Sequence, residues 1–312
     1  MPQNIALLAI ESSCDETSAS VIINGVVKSN IVSTQIIHEK YGGVVPELAS
    51  RAHQQHILPV VDAALKEAKV TKNELKAVGF TRGPGLLGSL LVGTSFAKGF
   101  ALANKIPLIE VNHMQAHILA HFIDDPKPEF PFICLTVSGG HTQLVLVKSH
   151  LDMEVIGETQ DDAVGEAFDK GAKMLGLNYP GGPMIDKHAA NGNPLAYEFP
   201  ISEMKGLSFS FSGKKVKENA SFIDENMDDI CASYQHTLIK TLLQKLKKAT
   251  RKHKIKHVAI AGGVAANSGL RKALEETGNK EKWEVFIPQF QYCTDNAAMI
   301  AVSTYYKYLA NH

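Results

Sequence analysis

The stretch IALLAIESSCDETSASVIINGVVKSNIV, residues 5–32, predicts an apolar strand, a polar turn, a second strand, and a third strand after a turn at Asn24-Gly25. A later stretch, FICLTVSGGHTQLVLVKSHLDMEVIG, residues 132–157, repeats that plan with its own glycine turn. The two superimpose when Thr17 is aligned with Thr142, an offset of about 125 residues. This spacing predicts an internal duplication.

A second pair of similar stretches follows the two hairpins in the same order. VGFTRGPGLLGSL from Val78 and VAIAGGVAANSGL from Val258 both predict a strand, a glycine turn and the start of a helix, and Gly83 matches Gly263. The offset is now about 180 residues, so the second half holds roughly 55 more residues between its two motifs. We place that insertion at 158–219, which is rich in Gly, Pro and Ser and is predicted to be loops and turns.

Two halves that each run β-hairpin, helices, strand, glycine turn and helix are typical of the duplicated actin-like architecture (ASKHA, ribonuclease H-like). The sequence therefore predicts an α/β, two-lobed fold of that class. We expect an N-terminal lobe at 1–128 and a C-terminal lobe at 129–295 that contains the insertion around 158–219. A helix at 296–312 is expected to pack back on the first lobe, and the proline-rich segment 124–128 is the predicted hinge.

The charge balance argues against a protein that holds nucleic acid unaided. Lys plus Arg and Asp plus Glu both number 32, so the formal net charge is zero. Nucleic-acid affinity rests largely on phosphate neutralisation, so any such role must depend on a local patch or on partners. The basic run Lys240–His257 keeps its leucines at helical spacing, which favours a solvated helix face over a nucleic-acid contact.

Cysteine usage and hydropathy suggest a compartment. The four cysteines are scattered without a CxxC pair, which predicts reduced thiols rather than disulfides or a structural zinc site. The amino-terminal apolar run is too short and lacks the basic flank of a signal peptide. Gly85–Ala103 is apolar but contains Lys98, so we expect a buried helix rather than a membrane span. These features predict a soluble cytoplasmic protein with no membrane anchor.

The glycine turns predict a nucleotide site in the cleft of such a fold. At Ser138-Gly139-Gly140, backbone amides can approach a phosphate because no Cβ intervenes. The turn at Gly262-Gly263 is expected to open a helix whose N-terminus favours an anion or a ribose. Asn267, on the first turns of that helix, could then contact the base or ribose. One glycine turn is weak support, but two at symmetric positions favour a nucleotide.

A histidine pair predicts a metal site. NHMQAH places His113 and His117 four residues apart on one helix face, where two neutral imidazoles can chelate a divalent ion. The alternative is a helix that carries two hydrogen-bonded histidines. A metallopeptidase needs HExxH with Glu as the base, and Met114 stands in that position. The spacing therefore favours a metal site that is not a peptidase site.

Two imidazoles need an oxygen ligand, and Asp295 in QYCTDNAAM is the candidate. Its alternative role is a plain N-cap, because it precedes an Ala-rich segment of helical character. His53 and His56 form a second close pair, but they have no companion carboxylate in sequence, so we expect a structural or surface role for them.

The sequence resembles the TsaD family at a series of motifs that run in family order over nearly the whole chain. They are ESSCDET, VVPELASRAH, NHMQAH, VSGGHT, GEAFDK, YPGGP, FSFSG, AGGVAAN and CTDNAAM. The resemblance is to the bacterial branch of a family once labelled a glycoprotease. It implies the actin-like ATPase superfold and a tRNA N6-adenosine threonylcarbamoyltransferase, which moves the threonylcarbamoyl group of threonylcarbamoyl-AMP to N6 of adenosine 37 in tRNAs that read ANN codons.

The resemblance also implies ligands and partners. His113, His117 and Asp295 would hold one divalent metal ion per subunit, with Fe²⁺ first and Zn²⁺ or Mg²⁺ as alternatives. The implied partners are tRNA, a TsaB-like paralogue that pairs with the N-terminal lobe, and a TsaE-like ATPase. The implied substrate-binding residues are Thr136, Val137, Ser138, Gly139, Gly140, Asp169, Gly182, Asp186 and Asn267.

One motif departs from the family pattern. FSFSG is followed here by Lys214-Lys215-Val216, whereas the family pattern has Leu-Lys-Thr. The lysine of the pattern is kept at Lys215, and Lys214 is new. The departure leaves open the substrate or tRNA contacts near that loop.

The residues suit direct transfer to the amine, with AMP as the leaving group. A metal ion and glycine-turn amides can stabilise the charge that develops, and the sequence offers no Ser-His-Asp or Cys-His arrangement that would require a covalent intermediate. Glu11, Asp15 and Asp169 remain open as the group that takes the amine proton. A metallopeptidase and a non-catalytic nucleotide-binding scaffold are the competing hypotheses.

Overall fold

The computed structural model describes residues 4–200, 204–211 and 220–311. The strands in this part of the chain are β1 (Ala6–Glu11), β2 (Glu16–Ile23), β3 (Val26–Thr34), β4 (Leu75–Gly83), β5 (Leu108–Asn112), β6 (Phe132–Val137), β7 (Thr142–Val147), β8 (Met153–Glu158), β9 (His257–Ala261) and β10 (Glu284–Phe286). The α-helices are α1 (Pro46–Ala68), α2 (Leu87–Asn104), α3 (His113–Leu119), α4 (Val164–Met174), α5 (Gly181–Ala189), α6 (Ala220–Glu225), α7 (Met227–His253), α8 (Ser268–Glu281) and α9 (Ala297–Asn311). None of the helices in the described ranges combines the length and apolarity that crossing a membrane requires.

The chain forms two compact units. Unit 1 contains residues 1–127 and 289–312, and unit 2 contains residues 128–288. The helix α9 therefore belongs to unit 1, where it packs on β1 and β2.

Each unit is built on one five-stranded mixed sheet, and the two sheets have the same topology. The strand order is β3-β2-β1-β4-β5 in unit 1 and β8-β7-β6-β9-β10 in unit 2. In both sheets the first three strands form an antiparallel meander, and the first strand also pairs in parallel with the strand after the long helix. The predicted duplication is thus confirmed strand by strand.

The first hairpin shows how the local sequence sets this topology. Asn24 and Gly25 both have positive φ, 51° and 82°, which is the requirement of the two-residue turns that match strand twist. All six residues of β1 are buried, because this strand lies at the centre of a sheet on which both α1 and α9 pack. A central strand that is covered on both faces has a continuous apolar sequence, and ALLAI in β1 is such a sequence.

The core of unit 1 lies between the sheet and α1. Leu8 and Phe80 from the sheet pack there with Val60 and Val61 from the helix. Side chains alternate along a strand, so Gly79 faces the opposite side of the sheet from Phe80. On that side α9 approaches so closely that a Cβ on Gly79 would lie 1.8 Å from Oγ1 of Thr304.

Two expectations about secondary structure and burial were wrong. The insertion was predicted to be loops, but it contains α4 and α5. Pro180 precedes α5 and Pro183 lies in its first turn, where proline fits because those backbone N–H groups have no partner within the helix. The stretch Gly85–Ala103 does form a helix, but α2 buries its small residues and exposes several leucines, with Leu102 82% exposed.

The amphipathic interpretation of the basic run was correct. Leu238, Leu242, Leu243 and Leu246 are all buried along α7, whereas Lys240 is exposed. The helix ends at His253 and is followed by Lys254 in the left-handed conformation.

We expect Gly79→Ala to destabilise the protein by about 2 kcal/mol, because the added methyl group must displace α9 from the sheet. Gly99→Ala is the matched control. Gly99 lies within α2 and a Cβ there would meet no atom within 4 Å, so this change should stabilise the protein by about 0.5–1 kcal/mol. Thermal unfolding followed by circular dichroism measures both variants. Equal midpoints for the two variants would contradict the close approach of β4 and α9.

Candidate metal centre and ligand pocket

The predicted metal ligands in unit 1 come from two helix N-termini. His113 is the first residue of α3, which follows β5 directly, and the Asn112 side chain caps this helix by accepting a hydrogen bond from the Gln115 N–H at 3.1 Å. His117 follows one helical turn later, so both rings lie on one face. Asp295 lies two residues before α9.

The structure brings these three side chains together. Nε2 of His117 lies 3.1 Å from Oδ1 of Asp295, and Nε2 of His113 lies 3.4 Å from the same oxygen. One ligand atom from each residue can be chosen so that all lie within 4.8 Å of one another. Both histidines are buried, and the Asp295 side chain is 20% exposed. This group could hold a metal ion.

Asp295 is not a plain N-cap. The first turn of α9 is capped by other groups: Oδ1 of Asn296 accepts from the Met299 N–H at 3.2 Å, and the Ser18 hydroxyl accepts from the Ala297 N–H at 2.8 Å. Asp295 directs its oxygens to His113, to His117 and, through Oδ2, to the Ser13 hydroxyl at 3.3 Å.

A fully buried carboxylate lies behind His113. Oε2 of Glu11 is 3.1 Å from Nδ1 of His113. Glu11 is held by the Thr81 hydroxyl, which donates at 2.6 Å, and by the Ser13 N–H, which donates at 2.5 Å. A carboxylate that accepts a hydrogen bond from the second ring nitrogen of a metal-binding histidine fixes the orientation of the ring. It also raises the basicity of the nitrogen that binds the metal.

The electrostatics favour positive charge at this position. Burial alone would lower the pKa of His113, but the carboxylates of Asp295 and Glu11 outweigh it and raise that pKa well above its usual value. Burial alone would raise the pKa of Asp295, but His113 and His117 hold it well below its usual value. A divalent cation supplies the same positive charge when it displaces the imidazole proton.

The residues present fit a metal ion. Nε2 of His113 and Nε2 of His117 both face Oδ1 of Asp295, so the two imidazoles and the carboxylate converge on one position. Two imidazoles and a carboxylate are a donor set that suits Fe²⁺ or Zn²⁺ better than Mg²⁺, which prefers oxygen.

The other histidine pair has different partners. His53 is buried and contacts the Thr17 hydroxyl at 2.7 Å and the Cys14 carbonyl at 2.9 Å. His56 contacts the Ser33 hydroxyl at 3.1 Å. Met114 directly follows His113 in the sequence and is buried. Its thioether cannot act as the base that a metallopeptidase requires at this position.

Unit 2 holds a cavity of about 330 Å³ at the ends of β6 and β9. Its wall combines apolar and polar groups, an arrangement that suits a small ligand with a planar apolar part and a few polar atoms. The lining residues are Gly139, Gly165, Phe168, Asp169, Pro180, Gly182, Pro183, Asp186, Gly263, Val264, Ala266 and Asn267.

Asp169 lies at the end of this cavity where α5 begins. Its Oδ1 accepts a hydrogen bond from the Gly181 N–H at 2.8 Å, so the carboxylate caps α5. Burial raises the pKa of Asp169, although hydrogen bonds from the Gly181 and Gly182 amides oppose the shift. This carboxylate therefore keeps a proton to higher pH than an exposed aspartate.

Asp186 and Asn267 are two further polar residues of the cavity wall. Oδ2 of Asp186 accepts from the Ser268 N–H at 2.8 Å, and Oδ1 accepts from the Ser268 hydroxyl at 2.9 Å. Asn267 was expected within the first turns of the helix, but it is the N-cap of α8, and its Oδ1 accepts from the Leu270 N–H at 2.8 Å. The preceding residues Gly263–Ala266 form a short 3₁₀ turn, so the helix opens five residues later than Gly263.

Five of the nine predicted substrate-binding residues line the cavity, and four do not. Thr136 and Val137 are fully buried in β6. Ser138 closes the glycine turn, because its N–H donates to the His141 carbonyl at 2.8 Å. A Cβ on Gly139 or Gly140 would meet no atom within 4 Å, so the backbone of this turn is open. Lys214 and Lys215 lie outside the described residues.

The sequence interpretation missed two hydroxyl groups at the metal site and one amide at the cavity. Ser13 and Thr81 hold Glu11 and Asp295, and Gln235 contacts Asp186 and Asn267. Thr81 could have been found from the sequence, because the parallel pairing of β1 with β4 places it beside Glu11. Gln235 lies within the long helix α7, where no motif marks it.

Comparison with solved structures identifies the fold. The chain is similar to HypF of T. kodakarensis, with a TM-score of 0.68 and 15% identity over 100% of this chain and 49% of that one. It is also similar to the ROK hexokinase of Thermus thermophilus, with a TM-score of 0.53 and 15% identity over 98% of this chain and 100% of that one. These likenesses concern the fold alone, and they confirm the actin-like class.

Comparison with known sequences identifies the family. The model of the TsaD family, tRNA N6-adenosine threonylcarbamoyltransferase, matches residues 26–302. A protein of that name from Cytophaga hutchinsonii is 63% identical over 318 residues, covering 99% of this chain and 93% of the relative. This chain therefore belongs to the TsaD family of tRNA N6-adenosine threonylcarbamoyltransferases.

Proposed function

We propose that the unit 2 cavity binds threonylcarbamoyl-AMP and that the chain transfers its threonylcarbamoyl group to N6 of adenosine 37 in tRNAs that read ANN codons. The observation that carries this proposal is the composition of the cavity wall. Phe168 and Val264 offer apolar surface to a base, whereas Asp186 and Asn267 offer polar atoms to a ribose or base edge. The open glycine turn beside them offers backbone amides to a phosphate.

The proposed reaction is a direct acyl transfer. The exocyclic nitrogen of adenosine attacks the carbamoyl carbon, a carbon–nitrogen bond forms, and the carbon–oxygen bond to the phosphate breaks. AMP departs with the electron pair, and the amine loses a proton to a base that we leave unassigned. Glu11 is occupied by His113, Thr81 and Ser13, which favours a positioning role for this carboxylate over proton transfer.

We propose that His113, His117 and Asp295 hold one divalent ion per chain, with Fe²⁺ preferred over Zn²⁺ and Mg²⁺. Such an ion supplies Lewis-acid stabilisation of developing negative charge. Glu11 holds the His113 ring in the ligating orientation, and the Ser13 hydroxyl restrains Asp295. Burial of both histidines keeps water from competing for their nitrogen atoms.

We further propose that the chain acts with a TsaB-like paralogue and a TsaE-like ATPase. The zero net charge supports a need for partners in tRNA binding. An exposed apolar stripe on α2 supports a protein contact on unit 1: Leu87 is 75% exposed, Leu91 55% and Leu102 82%. Exposed leucines at helical spacing on one face are typical of a surface that a partner covers.

The proposed metal site predicts the metal content of variants. We expect His117→Ala to weaken binding of Fe²⁺ or Zn²⁺ by about 100-fold or more, because the remaining two ligands cannot close the site. His56 contacts the Ser33 hydroxyl and is not among the proposed ligands. The variant His56→Ala should therefore bind metal as the wild type does. Elemental analysis after anaerobic reconstitution and gel filtration measures both. Equal metal content in the two variants would refute the proposed metal site.

The proposed reaction predicts the product. Wild-type protein with both partners, threonylcarbamoyl-AMP and unmodified ANN-reading tRNA should form threonylcarbamoyladenosine, measured by mass spectrometry of digested nucleosides. His113→Ala should reduce the rate by about 100-fold or more, whereas His56→Ala should stay within about twofold of the wild type. Absence of product from metal-loaded wild-type protein with active partners would refute the proposed reaction.

The apolar stripe predicts a partner contact. Leu91→Asp should weaken the complex with the TsaB-like paralogue by about 100-fold, because a charge would be buried at the contact. Leu151→Asp changes an exposed leucine of unit 2 and should leave the complex intact. Analytical ultracentrifugation of the mixed proteins distinguishes the variants. The partner contact lies elsewhere if Leu91→Asp binds as tightly as Leu151→Asp.

A further inference from the structure

Gln235 connects the two polar residues at one edge of the unit 2 cavity, although it does not line the cavity itself. Its side chain projects from α7 and is 7% exposed. Nε2 donates a hydrogen bond to Oδ1 of Asp186 at 3.0 Å, and Oε1 accepts one from Nδ2 of Asn267 at 2.6 Å. One buried amide therefore satisfies its own donor and acceptor with two different residues of the site.

These contacts fix which way the Asn267 amide points. Its Oδ1 is held by the Leu270 N–H at the start of α8, and its Nδ2 is held by Gln235. An amide nitrogen has two N–H groups, so one remains for a ligand. With only the helix cap in place, the Nδ2 group would have no buried acceptor.

The same contacts limit what Asp186 can offer. Its Oδ1 accepts from Gln235, from the Ser268 hydroxyl and, at 3.4 Å, from the Gly269 N–H, while within the described residues its Oδ2 accepts from the Ser268 N–H alone. A carboxylate oxygen has two lone pairs, so Oδ2 keeps one for a ligand. The cavity edge therefore presents one defined acceptor and one defined donor.

The start of α8 is shaped to admit the Gln235 side chain. A Cβ on Gly269 would lie 2.6 Å from Nε2 of Gln235 and 3.2 Å from Cδ1 of Ile239. Any larger residue at Gly269 would push the amide away from Asp186. The absence of a side chain there is a second feature, independent of the hydrogen bonds, that accommodates this amide.

We propose that Gln235 is a positioning residue for the adenylate: it holds Asp186 and Asn267 as one unit and so sets the acceptor and donor that the ligand meets. The proposal rests on the proposed binding of threonylcarbamoyl-AMP in this cavity. Gln235 acts through its two neighbours and touches no reacting atom, so it affects binding of the adenylate more than the rate of the chemical step.

The test compares Gln235→Met and Gln235→Glu with Gln244→Met, an exposed position on the same helix. Gln235→Met removes both hydrogen bonds at similar volume. It should raise KM for threonylcarbamoyl-AMP and Kd for AMP about tenfold, with kcat within about twofold. Gln235→Glu keeps the acceptor for Asn267 but places a second carboxylate against Asp186, so both constants should rise further. Gln244→Met should match the wild type.

A double-mutant cycle separates positioning from general stability. Because Gln235 acts through Asn267 and Asp186, adding Gln235→Met to Asn267→Ala should raise Kd for AMP by clearly less than the roughly tenfold expected in the wild-type background, since one of the two partners is already gone. A purely structural glutamine would lower the melting temperature and leave KM and Kd unchanged in every background. That result overturns the proposal.

The design also separates this proposal from the proposed reaction. AMP binding is measured by calorimetry on the full chain without tRNA or partners. Wild-type protein that binds AMP in a Gln235-dependent manner but makes no modified nucleoside would refute the reaction and leave the positioning role. Wild-type protein that makes the nucleoside while Gln235→Met retains its KM would refute the positioning role alone. Failure of the wild type to bind AMP would refute both.

Discussion

Parallel pairing of the first strand of each sheet with the strand after the long helix is the constraint on which both sites depend. The carboxyl ends of neighbouring parallel strands meet at one edge of a sheet, so the side chains at the ends of β1 and β4 lie close together there. This pairing brings Glu11 to Thr81 and, through β5, to His113.

In unit 2 the equivalent pairing of β6 with β9 brings the turn at Ser138 beside the turn at Gly262. A Cβ on Gly262 would lie 2.4 Å from the Val137 carbonyl, so the two turns approach closely only because that residue is glycine.

In unit 2 the carboxylates of the cavity also stabilise the helices that form its wall. Asp169 of α4 caps the start of α5, and Asp186 of α5 accepts hydrogen bonds from the start of α8. Each helix N-terminus has free N–H groups, and a carboxylate there is favoured by about 0.5–2 kcal/mol. The arrangement links three helices in series, α4 to α5 and α5 to α8. The polar residues of the cavity are therefore held in place by the protein itself, which would lower the entropic cost of binding the proposed ligand.

The sequence revealed the features that depend on local spacing. The turn at Asn24-Gly25, the alternation of strands and the two glycine turns all follow short-range rules, and they were sufficient to predict the duplicated fold. The histidine pair followed from the four-residue spacing of a helix. Asp295, the candidate oxygen ligand, lies 178 residues from His117, so no spacing rule of the kind that pairs the two histidines connects it to them.

What the sequence could not predict depends on packing between distant segments. The insertion was predicted to be loops because its glycines and prolines are turn formers, yet α5 forms since Asp169 supplies its cap from another helix. The helix α2 was expected to be buried because it is apolar, but helix burial depends on which face meets the core. Thr136 and Val137 were implied at the site by the family resemblance, and the structure shows that both are buried at the end of β6, which the sequence did not indicate. Gln235 is recognisable only when α5, α7 and α8 are assembled.

The two duplicated turns differ in charge although the same strand topology positions them. With Thr17 aligned to Thr142, Cys14 and Asp15 of the first turn correspond to Gly139 and Gly140 of the second. The first turn follows Glu11 and precedes Glu16, so it concentrates negative charge, which favours a cation. The second turn has no acidic side chain at the equivalent positions and exposes backbone amides, which favour an anion. The strands that position the two turns have the same topology in both units, so the difference in charge comes from the turn residues themselves.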